Sequence, residues 1–467
     1  MYTSIVKVTT GNCKCPQPTR SIVATAIAAV ALTVPQTVGA ETFHCSSGDV
    51  ACLTAAIQLA NVNGQDNTIR LEAGMYTLAA VENVTNGPNG LPSIIGSITI
   101  RGAGADRTNI ARASDAPEFR LFHVMSDGNL TLDRVNLTGG RSFSGSGGAI
   151  YNNGGVVNIV RTTIVQNFAS GGGGLSNSDG TVNVSRSTFA RNGGGVEDGG
   201  LRTNGGNVRI TQSRFSENTA FHGAGGMGVR GGTVFVTTST FQGNGADDTG
   251  AIRVHSGGTL VVSESSFTQN SAGGSAGTGG AIGNFGGAVF ISNSTFSNNV
   301  GSRIGHGTAI GNFSGTLTLL NSTLTANTTV VPLPVSSALS GGATTLVQNT
   351  IVAGNTGGQS PQDCDGPIKS LGNNLIGTTT GCGIILEPSD LTGDPGLGAF
   401  TDNDKPGNGH FPLLHASQAI DAGNDAACPE TDQIGRRRTG QCDIGAITFR
   451  KRDDQQDEDD DMDGPEF

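Results

Sequence analysis

Three stretches of the chain gather the side chains best suited to chemistry: GGGVEDGGLRTN (193–204), FHGAGGMGVR (221–230) and ADDTGAIRV (246–254). Aligned on one another, they place Asp198 and Asp248 at the same turn position two repeats apart, with Glu197 and Asp247 one residue earlier. Arg202, Arg230 and Arg253 fall within two residues of one another on the adjoining segment, and His222 and His255 lie close by. Carboxylates, guanidiniums and imidazoles in one patch suit an acidic sugar polymer. The carboxylates can hold calcium bridging to uronate groups, and an Arg or His can take or stabilise the proton lost in β-elimination. The same side chains also read as solvated turn residues in surface ion pairs, each worth about 0–1 kcal/mol. These nine residues are the candidate ligand-binding set; no catalytic role is assigned, and calcium is the one cofactor they suggest.

What must position them is a repeat. GTVNVSRSTFARN (180–192), GNVRITQSRFSEN (206–218), GTVFVTTSTFQGN (232–244), GTLVVSESSFTQN (258–270), GAVFISNSTFSNN (287–299) and GTLTLLNSTLTAN (315–327) share one template. A first copy begins at Gly155 and weaker ones at Gly96, Gly128 and Gly342, and from Gly128 onward the leading glycines recur every 25 to 29 residues. That period, without a helical pattern inside it, marks a solenoid of strands. Val157/Ile159, Val182/Val184, Val208/Ile210 and Val234/Val236 alternate with mostly polar residues, which buries one face of a short strand. After a bend, Ile164, Phe189, Phe215, Phe241, Phe267, Phe296, Leu324 and Ile351 fill a second inward position. Asn167, Asn192, Asn218, Asn244, Asn270, Asn299 and Asn327 recur in register and predict a ladder of side-chain amides. Paired glycines are expected to supply positive φ at the corners of a three-strand coil.

A strand solenoid needs its ends covered. Ala51, Leu53, Ile57 and Leu59, with Asp49 as N-cap, predict an amphipathic helix over 49–61 that closes the first coil. Residues 356–449 lose the period and gain Pro, Asp and four cysteines, and predict an irregular C-terminal cover.

Residues 1–40 carry Lys7, Lys14 and Arg20, no acid, the apolar run SIVATAIAAVALTV, and then Val38, Gly39 and Ala40. This reads as a signal peptide cleaved after Ala40, since a run of about 14 residues is short for a membrane span. Export makes Cys45, Cys52, Cys364, Cys382, Cys428 and Cys442 disulfide candidates, with the local pairs 45/52, 364/382 and 428/442 the simplest of about 15 connectivities. Formal charge is −11, and nine acidic side chains sit in the last 15 residues, a composition that predicts a disordered tail and a poor partner for nucleic acid.

GGAIYN (147–152), GGAIGN (279–284), GTAIGN (307–312) and the STFxxN units resemble the repeats of polymorphic outer-membrane proteins and other right-handed parallel β-helix surface proteins. Residues 411–448 resemble the end of the bacterial choice-of-anchor Q domain, and 52–78 a CSLREA-type segment, although Thr54, Ala55 and Thr448 depart from those patterns. The resemblance implies an all-β, right-handed parallel β-helix, here of about ten coils, on a surface or exported protein. The expected division is signal 1–40, N-terminal cap 41–95, helix 96–355, C-terminal cap 356–449 and acidic tail 450–467. No autotransporter barrel, sortase signal or lipobox is read, so free secretion leads. The function expected is a noncatalytic adhesin, matrix or glycan-binding scaffold with a polysaccharide or cell-surface partner; the alternative is a lyase or epimerase acting on acidic polysaccharide.

Overall fold

The computed structural model describes residues 40–274, 277–301, 307–329, 337–357 and 360–450, so the leader and the acidic tail expected above lie outside the described residues. The template becomes a parallel β-solenoid. One coil runs through strands Ile150–Asn153, Val156–Val160, Thr163–Val165 and Phe168–Gly171. The first two strands of each coil join one sheet of 21 strands, the third a sheet of 13, and the fourth a sheet of 10. In two later coils the first two strands fuse into single strands, Ile282–Ser292 and Ile310–Leu320. The solenoid has about 12 turns rather than ten, because strands pair in parallel outside the clear repeats as well. The ladder begins with Thr42–Cys45 on Asp66–Leu71 and ends with Leu375–Ile376 on Leu391–Thr392, beyond both bounds of the expected 96–355 segment.

Identical positions stack because each coil repeats the one before. Val157, Val182, Val208, Val234 and Leu260 are in register and buried, as are Ile164, Phe189, Phe215, Phe241 and Phe267. The phenylalanine rings stack nearly parallel with centroids 4.6–5.0 Å apart. Beside them runs the asparagine ladder. Asn192 Nδ2 donates to Asn218 Oδ1 (3.0 Å) and to the Ile164 carbonyl (2.9 Å), and its backbone N–H donates to the same Oδ1 (3.0 Å). The ladder extends past Asn327 to Asn355 and stops at Asp363, whose Oδ1 accepts both Asn355 donors and whose Oδ2 accepts from the Thr378 N–H. A carboxylate suits the last rung because it accepts on both oxygens and brings no donor that needs another coil.

The corners differ from expectation. Gly232, leading its repeat, has φ 73°, but the corners on either side of the short third strand use non-glycine residues, such as Arg161 (48°) and Gln166 (56°). There the following Thr162 or Asn167 donates its backbone N–H to the side chain one coil on, which holds the left-handed residue in place. Many glycines answer instead to close approach: a Cβ on Gly250 would lie 1.9 Å from the Gly280 carbonyl oxygen.

The helix is Val50–Val62, capped by Asp49, whose Oδ1 accepts from the Cys52 N–H at 2.9 Å. It buries Leu53, Ala56, Ile57 and Ala60 against the first coils, whereas Ala51 and Leu59 are exposed. The cysteines form the bonds Cys45–Cys52, Cys364–Cys382 and Cys428–Cys442. The C-terminal segment is not only a cover over an end. It runs back along the corner of the 13-stranded sheet: Asn321 Nδ2 donates to the Asp443 carbonyl, Thr295 Oγ1 to Gln433 Oε1, and Arg214 Nη2 to the Asp404 carbonyl.

Candidate functional site

The three exceptional coils meet at the edge between the first strands of the 21-stranded sheet and the 10-stranded sheet. Strand register sets Tyr151, Ser176, Arg202, Gly228 and Arg253 in one column, one residue per coil. Inward Leu175, Leu201, Met227 and Ile252 anchor that column in the core. Gly228 interrupts the row of long side chains, and the space goes to a carboxylate: a Cβ there would lie 2.2 Å from Asp198 Oδ2.

Asp198, with φ 50°, is fully buried. Its Oδ1 accepts from the Ala224 N–H (3.0 Å) and its Oδ2 faces Arg230 Nε (3.4 Å). Burial raises its pKa, opposed by Arg230, the Ala224 N–H and Arg202. Glu197 lies between two guanidiniums, at 3.1 Å from Arg202 Nη1 and 2.7 Å from Arg230 Nη2. Arg202 Nε donates in addition to Asn204 Oδ1. Two coils on from Asp198, Asp248 Oδ2 accepts from the Gly223 N–H (3.0 Å) and pairs with Arg253 Nη1. Successive peptide N–H groups, 223 and 224, therefore tie the two aspartates to one turn. The Arg253 guanidinium lies 4.3 Å from the Phe285 ring centroid.

His255 flanks this network with Nε2 buried and unpartnered, its ring 6.2 Å from Phe285. Burial first, then Arg253 and Arg230, lower its pKa to about 4, so it is neutral at pH 7. Two candidates stand apart. His222 is exposed, edge-on to Phe221, and in register with Glu197. Asp247 is half-buried and connects through its backbone, its N–H donating to the Phe221 carbonyl. The donor set does not fit calcium: the carboxylates of Glu197, Asp198 and Asp248 are committed to guanidiniums and N–H groups, and among the described residues no three His, Cys, Asp or Glu converge on a metal position.

Two features were not read from the sequence. The first is an apolar ridge beside the charged column on four successive coils, made by Phe143, Phe168, Val196 and Phe221. Three of these side chains are 50–60% exposed, and Phe143 packs on Phe168 at 5.1 Å. Aligning the repeats on the ladder Asn does not bring these residues together, because Phe168 lies one residue after its Asn, Phe221 three and Val196 four. The second lies at the N-terminal end of the column, where buried Arg120 donates to the Asn86 carbonyl and Asn89 Oδ1 and sits 5.1 Å from the Tyr151 ring. Burial lowers its pKa to about 10, and burial plus Arg120 lowers that of His123 to about 4.

No family model matches the chain, and no curated protein matches it. Among solved structures, a mannuronic acid specific polysaccharide family 6 lyase enzyme from human gut microbiota is similar over 75% of this chain and 83% of its own, at 11% identity and a TM-score of 0.31. No residue role is carried from that enzyme to this chain.

Proposed function

We propose that the protein is an exported, noncatalytic β-solenoid that binds polysaccharide along the edge that carries the 143–221 ridge and the 197–255 charges, in keeping with its resemblance to choice-of-anchor surface proteins. The observation that carries this reading is the exposed ridge of Phe143, Phe168, Val196 and Phe221 alongside Glu197, Arg202 and Arg230. Apolar patches rimmed by fixed polar groups are what a sugar chain needs, since each ring offers an apolar face and a hydroxyl edge. Weak contacts repeated coil by coil add up along a polymer. Three disulfides support export, because such bonds persist in oxidising compartments. Among the described residues, no helix is long and apolar enough to cross a membrane.

The same geometry argues against a lyase. Asp198 is out of reach of any substrate, and an imidazole of pKa about 4 is a weak base at pH 7. The test is affinity electrophoresis of the secreted protein through gels holding neutral or uronate polysaccharides, with a parallel assay for unsaturated product. Phe143→Ala/Phe221→Ala is expected to lose retention in the neutral gels with an unchanged melting temperature. Unsaturated product that disappears in Arg230→Gln or His255→Gln would replace the scaffold with an enzyme. Equal retention of the phenylalanine variant and the parent in the neutral gels would remove the ridge as the binding surface.

A further inference from the structure

A second charged surface lies at a different corner, between the 21- and 13-stranded sheets. Arg134, Arg161 and Arg186 hold one corner position on three successive coils, with φ of 59°, 48° and 50°, and their N–H groups bond in step to the carbonyls of Val160, Ser185 and Thr211. Arg101, in register with Asp133, joins them. Asp133 is buried and serves three guanidiniums at once: Arg101 Nε at 3.0 Å, Arg161 Nη2 at 2.9 Å and Arg134 Nε at 3.8 Å. One carboxylate cannot neutralise three guanidiniums, and each of those arginine side chains stays 42–45% exposed.

The strip continues into a cleft of about 630 Å³ beneath the C-terminal segment, where Arg186 is joined by Arg214 and Lys405. The hydrogen-bond partners of Arg186 and Arg214 hold them without cancelling charge. Arg186 Nε donates to Gln212 Oε1, Arg214 Nη1 to Gln242 Oε1, and Arg214 Nη2 to the backbone carbonyl of Asp404. In a chain of net charge −11, six cations along one corner outnumber buried Asp133 and Asp404, which also lines the cleft, and form a localised positive surface.

We propose that this strip, ending in the Arg186–Arg214–Lys405 cleft, binds an acidic polysaccharide through its carboxylate or sulfate groups. Guanidiniums recur once per coil, at about 4.8 Å, close to the length of one sugar residue in an extended chain. Each guanidinium can meet an anionic oxygen pair with two N–H groups. A single-stranded nucleic acid is the less suitable polyanion, because no aromatic ring lines the cleft to stack its bases. The site is separate from the ridge, and its binding is expected whether or not the ridge holds sugar.

The experiment is calorimetric titration of the secreted protein with an oligouronate, a sulfated oligosaccharide, a neutral oligosaccharide and single-stranded DNA of matched charge. Uronate or sulfated ligand is expected to bind, and to bind about tenfold or more weakly when salt rises from about 0.05 to about 0.5 M. Arg134→Gln/Arg186→Gln/Lys405→Gln is expected to weaken that binding about tenfold or more, with an unchanged melting temperature. Phe143→Ala/Phe221→Ala is expected to bind the acidic ligand as the parent does, which separates this site from the ridge. The proposal is overturned if neither acidic glycan binds, if the triple variant binds as the parent does, if the affinity ignores salt, or if DNA binds more tightly than either glycan.

Discussion

The Asn and Ser/Thr ladders beside the short third strand and the charged edge between Glu197 and His255 belong to one solenoid and differ in how they satisfy polar groups. In the first, each Asn meets an Asn one coil away and each Thr or Ser a hydroxyl residue, so one kind of side chain at each position solves the problem along the stack. In the second, satisfaction is heterologous: Glu197 needs Arg202 and Arg230, Asp198 needs the Ala224 N–H, and Asp248 needs Arg253 and the Gly223 N–H. Homologous stacking yields stability that depends on continuity, whereas heterologous pairing fixes a particular surface. Breaking each kind should therefore give different losses.

The largest loss is expected in the stack. Phe241→Ala removes a ring that packs at 4.8 and 5.0 Å on its two neighbours, and should cost about 3–5 kcal/mol in urea denaturation. Next comes Asn218→Ala, which strips the Asn192 N–H and Nδ2 of their shared acceptor and the Phe189 carbonyl of a donor. With about 1–3 kcal/mol for each buried group left unpaired, a loss of about 2–4 kcal/mol follows. If either variant proved no worse than a surface substitution, continuity of the stack would not be what holds the solenoid.

Arg230→Gln attacks the heterologous edge and should cost less, about 1–3 kcal/mol. Glu197 keeps Arg202 at 3.1 Å and Asp198 keeps the Ala224 N–H at 3.0 Å, but a fully buried carboxyl loses its nearest cation. Its signature should be a loss of polysaccharide retention larger than the loss of stability would explain. Intact retention would mean that the network is structural and the ridge acts alone.

How much of this was legible follows from the same contrast. The Val, Phe and Asn columns could be read because a period of 25 to 29 residues repeats one residue type at one position, and repetition carries the signal. The coil count came out low because Thr42–Cys45, Asp66–Leu71 and the strands after 364 pair in the ladder without the glycine-led template. The exceptional coils could be located as breaks in the period, and the sequence grouped their charges. It did not show that Gly228 makes room for the Asp198 carboxyl, since that depends on a missing Cβ one coil away. The arginine corner escaped because Arg134, Arg161 and Arg186 occupy a position where later coils carry Gln212, Thr238 and Glu264. The return of the C-terminal segment along the side of the solenoid left no periodic trace, because its contacts join residues more than a hundred positions apart.

The smallest effect at neutral pH, and the finest probe of the contrast, is His255→Gln. Burial and neighbouring arginines lower the His255 pKa from 6.5 to about 4, and burial with Arg120 does the same to His123. Between those values the unfolded chain binds more protons than the folded one. The stability that the neutral imidazoles allow is therefore present above about pH 6.5 and is lost as pH falls towards 4. His255→Gln removes one of these two groups, so the acid-side slope of unfolding free energy should fall while stability at pH 7 changes little. Asp198 acts with the opposite sign. Its pKa is raised above 3.8, so its protonation favours the fold as pH falls through that raised value, and Asp198→Asn should make the acid-side loss steeper. Parallel slopes for the parent and both variants would show that the exceptional coils hold no buried titrating groups, and the distinction drawn between them and the regular stack would then rest on sterics alone.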